Sequence, residues 1–287
     1  MALFTKNQKS FELCLESNKK QIVKAAYQDE GRGPVVLLLH GFLSESSCWR
    51  AVTQILKNKY RCISLDLLGF GESSKPEIDY KIESQVSYIH HFMKALCIDS
   101  FYIIGHSLGG WIAASYALKY KESVLGLVLA APAGISEELD KYQILKPLSW
   151  ETPIIDWVLN LVSVFSSIFK KKETVNTIKH YRYQLLYEPI MKAWFRRIFK
   201  GEMSTELIDR SIQDISSATL IIAAEKDLTI PFWYCQAYED KIPNAQLKVI
   251  AEANHQLPTD NGTLVAELFD DFVNNLINEK SVIPNPT

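Results

Sequence analysis

The sequence predicts an α/β fold: a mostly parallel sheet flanked by helices and interrupted by a helical insertion. Three observations predict it. Short, continuously apolar runs such as Val35-Val36-Leu37-Leu38-Leu39 have the pattern of strands buried on both faces of a parallel sheet. Segments of helical periodicity separate those runs. The alternation stops between residues 135 and 212 and then resumes, so the sheet has an insertion rather than a simple end.

Composition bounds the class. With 287 residues and 47% apolar side chains, the chain can bury a sizeable core as one large domain with an insertion, or as two modest ones. Its 31 Lys and Arg against 33 Asp and Glu leave a net charge of −2, without the basic excess of a nucleic-acid binder. Cys14, Cys48, Cys62, Cys97 and Cys235 show no paired spacing, which argues against a disulfide framework and against a zinc site. The first ten residues contain no apolar signal-peptide region, and no window reaches the roughly 18–20 apolar residues of a membrane span. The expectation is a soluble, cytoplasmic protein.

Taken in order, Phe11–Ser17 and Gln21–Gln28 alternate apolar and polar residues, as an antiparallel hairpin does. Asp29-Glu30-Gly31-Arg32-Gly33-Pro34 is a turn, and Val35–Leu39 is a buried strand leading into His40-Gly41-Phe42. A helix near Trp49–Asn58 and a strand Arg61–Leu65 follow, then a Gly-rich loop from Asp66 to Ser74. Ile82, Val86, Ile89, Phe92 and Leu96 are spaced as one helical face. Ser100–Ile104 is an apolar strand, and the helix after it runs to about Tyr120. Val124–Ala130 is the last strand before the gap. Beyond it come the strand Ala218–Ala224, a helix near Phe232–Tyr238, the strand Gln246–Ala251 and a helix near Thr263–Ile277. The resulting division is a core of residues 1–134 and 213–280, an inserted cap of 135–212 and a flexible tail of 281–287.

The chemistry centres on Gly105-His106-Ser107-Leu108-Gly109, a Gly-x-Ser-x-Gly run between a strand and a helix. In that setting the run forms a nucleophile elbow, a turn so tight that small residues are needed two positions either side of the serine. Ser107 is therefore the candidate nucleophile, and it needs a base and a group to orient that base. Of six histidines, His255 lies in a loop after the last predicted strand, where a base reaches the C-terminal edge of the sheet. His40 has the setting of a structural residue, His106 adjoins the nucleophile and points elsewhere, and His90, His91 and His180 lie in helical or inserted regions. The acid belongs between serine and histidine in chain order at a strand end. Asp227 fits, with Glu225 as its rival nearer the strand; Asp66 precedes the serine and reads as a loop-holding residue. Two backbone N–H groups must face the oxyanion, and Leu108 and Phe42 are placed to supply them.

These pieces together resemble the α/β-hydrolase superfamily: Leu39-His40-Gly41-Phe42, Asp66 through Ser73, Gly105 through Gly110, Asp227 with Ile230-Pro231, and His255. The resemblance covers nearly the whole chain except the insertion. It implies an eight-stranded, mostly parallel sheet, a Ser-Asp-His triad and a cap over the pocket. The esterase, lipase and C–C hydrolase group is the closest in flavour. Asn254 departs from the Gly that the family usually has before the histidine. Ser107 separates this chain from haloalkane dehalogenases and epoxide hydrolases, whose nucleophile is an aspartate.

Substrate choice is expected in the insertion, which is crowded with aromatics. Most of these are expected to form the cap's own small core. The remainder would wall an apolar acyl pocket, with Trp150, Trp157, Phe165 and Trp194 as substrate contacts. Between Lys170 and Lys200, nine Lys and Arg face only Glu173 and Glu188. An apolar helix followed by this basic stretch fits a cap resting on an anionic membrane surface; a solvated charged face has the same composition. The functional expectation is a cofactor-independent serine hydrolase, with no bound metal, acting on a hydrophobic small-molecule ester. A C–C hydrolase or perhydrolase with the same triad, and a ligand-binding protein with little turnover, are the alternatives.

Overall fold

The computed structural model of the chain describes residues 8–15, 21–135, 146–166 and 172–282. Its eight strands form one sheet. The antiparallel pair β1 (Gln8–Leu15) and β2 (Gln21–Gly31) lies at one edge. β3 (Val35–Leu39), β4 (Arg61–Leu65), β5 (Phe101–His106), β6 (Val124–Ala130), β7 (Thr219–Ala224) and β8 (Ala245–Ile250) follow in the chain. Their spatial order is β1-β2-β4-β3-β5-β6-β7-β8. Every pair from β4 onward is parallel, and β2 joins β4 antiparallel.

The apolar runs become the central strands for the reason their sequence indicates. All six residues of β5 and of β7 are buried, so both faces of the sheet are covered there. Burying each Leu or Ile of these strands contributes about 1.5–3 kcal/mol. β8, at the edge, is mostly exposed or half-buried. Helix α1 (Arg50–Leu56) packs on the closing helix α9 (Gly262–Val282), and α2 (Ile82–Ala95) packs on α3 (Leu108–Lys119). α2 buries Ile82, Val86, Ile89 and Phe92 as one stripe, as their spacing predicts. α7 (Phe232–Lys241) lies against β7 and β8, and a one-turn helix α8 (Leu257–Asp260) precedes α9. Ser281 and Val282 complete α9, where the sequence reading places the start of a tail; residues 283–287 lie outside the described residues.

This connectivity positions the site. The chain passes from β3 outward to β4, then crosses back to β5 on the other side of β3. The strand order therefore reverses direction between β3 and β5, and in such sheets the C-terminal strand ends at a reversal are the usual place for a ligand. Leu39 and Gly105 are register partners, which brings the loops beginning at His40 and His106 side by side.

The chain divides into two compact units. One holds the sheet and comprises residues 1–74, 82–135 and 207–287. The other comprises residues 75–81 and 136–206. In the second, α4 (Pro153–Ser166), α5 (Lys172–Tyr187) and α6 (Pro189–Phe199) pack in sequence, each on the next. Arg182 organises this unit. It is buried and donates to both carboxylate oxygens of Asp156 and to the carbonyls of Leu148, Trp150 and Thr152. All five of its N–H groups are thereby used, which makes up for removing a guanidinium from water.

Candidate active site

Ser107 stands between β5 and α3 with φ 54° and ψ −116°, a conformation that costs a non-glycine residue on the order of 1–3 kcal/mol. The strain is held from several directions. The Ser107 N–H donates to the Ala130 carbonyl at 3.0 Å, and the Ser107 carbonyl accepts from the N–H groups of Gly110, Trp111 and Ala133. The close approach of the backbone explains the two flanking glycines. A Cβ on Gly105 would lie 2.3 Å from the Gly109 carbonyl oxygen, and one on Gly109 would lie 2.2 Å from that of Leu39. Gly41, after β3, faces the nucleophile: a Cβ there would lie 3.2 Å from Ser107 Cβ. The loop carrying Phe42 is thus next to the serine, and Leu108 opens α3, where the first helical N–H groups have no intrahelical partner. The Phe42 ring lies edge-on to Phe70, with ring centres 5.6 Å apart.

Asp227 and His255 meet at the ends of β7 and β8. His255 Nδ1–H donates to Asp227 Oδ2 at 2.7 Å, and Asp227 Oδ1 accepts from the N–H groups of Thr229 and Ile230, both at 2.8 Å. The Asp227 side chain is only 1% exposed. Burial works to raise its pKa. The bonds from His255, Ile230 and Thr229 outweigh burial and hold the carboxyl below its ordinary value. Glu225 is exposed and accepts instead from the Glu252 N–H, so the rival acid is turned to another task. The structure therefore brings Asp227 and His255 together at the sheet edge that carries Ser107. No hydrogen bond joins the Ser107 hydroxyl to His255 among the described residues. Asn254 does not take up the left-handed conformation for which glycine is suited; in this loop Glu252 does, with φ 59°.

The other candidates separate by their partners. Asp66 is buried and accepts from the N–H groups of Ser46 at 2.6 Å and Glu72 at 2.9 Å, tying the Gly-rich loop to the loop before α1. His40 donates through Nδ1 to the Gly41 carbonyl and accepts the Leu67 N–H at Nε2, which fixes its tautomer. Complete burial holds its pKa below the ordinary histidine value, so the ring is neutral. His106 has a role that the sequence reading passed over. It is buried, and its Nε2–H donates to the His255 carbonyl at 2.7 Å. The only signal for it in the sequence is its place beside Ser107.

The aromatics of the insertion divide by exposure. Trp150 and Trp157 are 54% and 66% exposed, and Tyr183 and Tyr187 are 58% and 68% exposed. These four therefore do not form an internal core. Tyr183 and Tyr187 sit one turn apart on the outer side of α5, with their rings in contact. Phe195 is buried and Trp194 is half-buried, whereas the side chain of Phe165 lies outside the described residues. The basic stretch is also less free than its composition suggests. Five of its nine cations pair with acids from outside it: Arg182 with Asp156, Lys192 with Glu151, Arg196 with Asp79, Arg197 with Glu206 and Lys200 with Glu202. Among the described residues, no helix is long and apolar enough to cross a membrane.

A parallel sheet whose strand ends present a strained serine, a buried aspartate and a histidine bonded to it defines the hydrolase class of α/β proteins. The chain belongs to the alpha/beta hydrolase fold family, whose model matches residues 34–182. It is 27% identical over 239 residues to 2-hydroxy-6-oxo-6-(2'-aminophenyl)hexa-2,4-dienoic acid hydrolase of Metapseudomonas resinovorans, covering 81% of each chain. It is 25% identical over 267 residues to mouse monoacylglycerol lipase ABHD6, covering 87% of this chain and 79% of that one. Among solved structures, a thermophilic esterase from Thermogutta terrifontis superposes with a TM-score of 0.71 at 22% identity, covering 93% of this chain and 99% of the esterase.

Proposed function

We propose that this protein is a serine hydrolase that cleaves carboxylic esters of hydrophobic acids. Ser107 Oγ attacks the carbonyl carbon while His255 Nε2 takes the hydroxyl proton. Asp227 holds the Nδ1–H tautomer and stabilises the imidazolium that forms. The backbone N–H groups of Phe42 and Leu108 receive the oxyanion, each worth roughly 2.7–4 kcal/mol in the transition state. Collapse expels the alcohol, which takes the proton from His255. Water, deprotonated by the same imidazole, then releases the acid from the acyl-enzyme. The chain's own residues supply every proton transfer in this scheme.

The observation that carries the reading is the Asp227–His255 pair, at 2.7 Å with the Asp227 side chain buried, at the C-terminal strand ends where the strained Ser107 also stands. Fluorophosphonate labelling tests it: the wild-type protein should label covalently and Ser107→Ala should not. A wild-type protein that does not label would end the enzyme reading and favour a binding protein on this fold.

A second reading keeps the triad and changes the bond. Similarity to a dienoic acid hydrolase supports C–C cleavage as much as similarity to a monoacylglycerol lipase supports ester cleavage. The exposed apolar residues of the insertion lead us to prefer the ester. Trp150, just before α4, and Ile154, Trp157 and Val158 in its first two turns present apolar side chains to solvent, the kind of surface that meets amphiphiles at a bilayer. Residues 135–212 would then act as the cap that selects the acyl chain. Turnover of chromogenic esters of increasing chain length, beside a dienone substrate, separates the two readings. Cleavage of the dienone alone would overturn the ester assignment.

A further inference from the structure

The mechanism uses His255 as the base but does not explain what holds its backbone in place. β8 ends at Ile250, and His255 stands five residues on, in a loop near the exposed edge of the sheet. Its bond to Asp227 orients the ring about Nδ1 only. A base must also lie at the right depth to reach the serine, and an error of about 1 Å there can cost on the order of a hundredfold in rate.

The Lys226 N–H donates to the Ala253 carbonyl at 2.8 Å and ties the start of this loop to the turn after β7; at His255 itself one side chain supplies the constraint. The ring of His106 contacts two separate parts of the site, the base loop and the loop after β3. Its Nε2–H donates to the His255 carbonyl at 2.7 Å, across 149 residues of chain. Its ring lies against the His255 ring, with centres 4.8 Å apart. A Cβ built on Gly41 would lie 3.0 Å from its Nδ1, so the ring also backs the loop that carries Phe42. His106 is 4% exposed and directly precedes Ser107. Nucleophile, base loop and oxyanion loop thus meet at one ring fixed to the end of β5. The only other hydrogen bond to the His255 carbonyl among the described residues comes from Leu257 N–H, at 2.8 Å, two residues along the same loop, so it cannot fix the loop to the sheet.

We propose that His106 is a positioning residue. By donating from Nε2 to the His255 carbonyl, it sets the depth of the base relative to Ser107 and the Phe42 loop. Burial supports this by pushing its pKa down to about 3, with the neighbouring His255 acting in the same direction. The ring therefore stays neutral beside the base and does not oppose the imidazolium that forms there.

The inference rests on the serine hydrolase reading, and its test separates the two. Wild-type protein, His106→Phe and His106→Gln are compared for kcat and KM on one activated ester, with thermal melts of each. Phenylalanine keeps a ring and loses the donor; glutamine places an N–H near the position of Nε2. If positioning is the role, His106→Phe loses about 30- to 100-fold in kcat with KM within about threefold, and His106→Gln keeps kcat within about fivefold of wild type. A folded His106→Phe with wild-type kcat overturns the proposal. So does a folded His106→Gln as impaired as that loss, a result that decides the matter even if the phenylalanine variant does not fold. Hydrogen exchange of residues 253–257 adds a readout independent of turnover: it should rise in His106→Phe and stay near wild type in His106→Gln. Wild-type protein inert to both ester and fluorophosphonate would instead refute the hydrolase reading on which the proposal rests.

Discussion

Replacing Asp227 with asparagine tests the triad at its most constrained point. Asp227 Oδ1 already accepts two backbone N–H groups, from Thr229 and Ile230, while Oδ2 faces His255 Nδ1. An asparagine amide there has one comfortable orientation. Its oxygen must stay on the two N–H donors, because the flipped amide would point its own hydrogens at them. Its NH2 group then faces His255 Nδ1 and donates to it. The imidazole proton is forced onto Nε2, the atom that must accept the serine proton. The change is nearly isosteric, so the fold should survive and the loss should fall on kcat. The expected loss is roughly ten-thousandfold, about 5.5 kcal/mol of activation free energy. Initial rates on a chromogenic ester, with melting temperatures measured alongside, read it directly. A folded Asp227→Asn enzyme within about tenfold of wild type would refute the tautomer argument. Glu225→Gln is the control: among the described residues its carboxylate accepts only the Glu252 N–H, and activity should be unchanged.

Other expectations follow from the same geometry. Gly109→Ala would drive a methyl group to 2.2 Å from the Leu39 carbonyl oxygen and 2.6 Å from that of His40, so the end of β3 must give. A loss of about 1–3 kcal/mol in urea unfolding is expected, and an unchanged midpoint would contradict the elbow packing. In acid, the buried His106 destabilises the fold, because its folded pKa of about 3 lies below the ordinary 6.5. Between those values the unfolded chain binds a proton that the folded one does not, so stability falls as pH drops through that window. His106→Gln should flatten the fall, and parallel pH–stability curves would remove the cause. Asp227 acts lower on the scale: its folded pKa is below the ordinary 3.8, so its contribution is full above that value and is lost as pH falls through the depressed one. Finally, Trp157, 66% exposed, and Ile154, 68% exposed, should anchor the protein to lipid vesicles. Co-sedimentation should fall severalfold in the double alanine variant, and equal binding by both proteins would remove the bilayer from the reading.

Much of the core and of its candidate site was legible in the chain because both rest on local rules. Val35–Leu39, Arg61–Leu65 and Val124–Ala130 are strands within the bounds their apolar runs predict, since only burial on both faces tolerates such runs. The elbow was legible for a similar reason. A strand–turn–helix junction this tight excludes side chains at Gly105 and Gly109, so the constraint is written into residue types a few positions apart. Asp227 was singled out over Glu225 by its place in the turn, and the hydrogen bonds divide the two in the same way.

The sequence by itself determined the α/β alternation and the strand ends at which the candidate serine, acid and histidine stand, in that chain order. These depend on periodicity and on steric limits within short windows. Only the tertiary structure decided what long-range contact decides. It turned His106 from a bystander into the support of a loop 149 residues away. It also matched five of the nine cations in the 170–200 stretch with acids from other segments, so that a charge counted along the chain is not the charge its surface presents. It left Trp150 and Trp157, expected as substrate contacts, more than half exposed to solvent. Hydrogen bonds, ion pairs and burial join residues by their distance in space, and no local pattern encodes that distance.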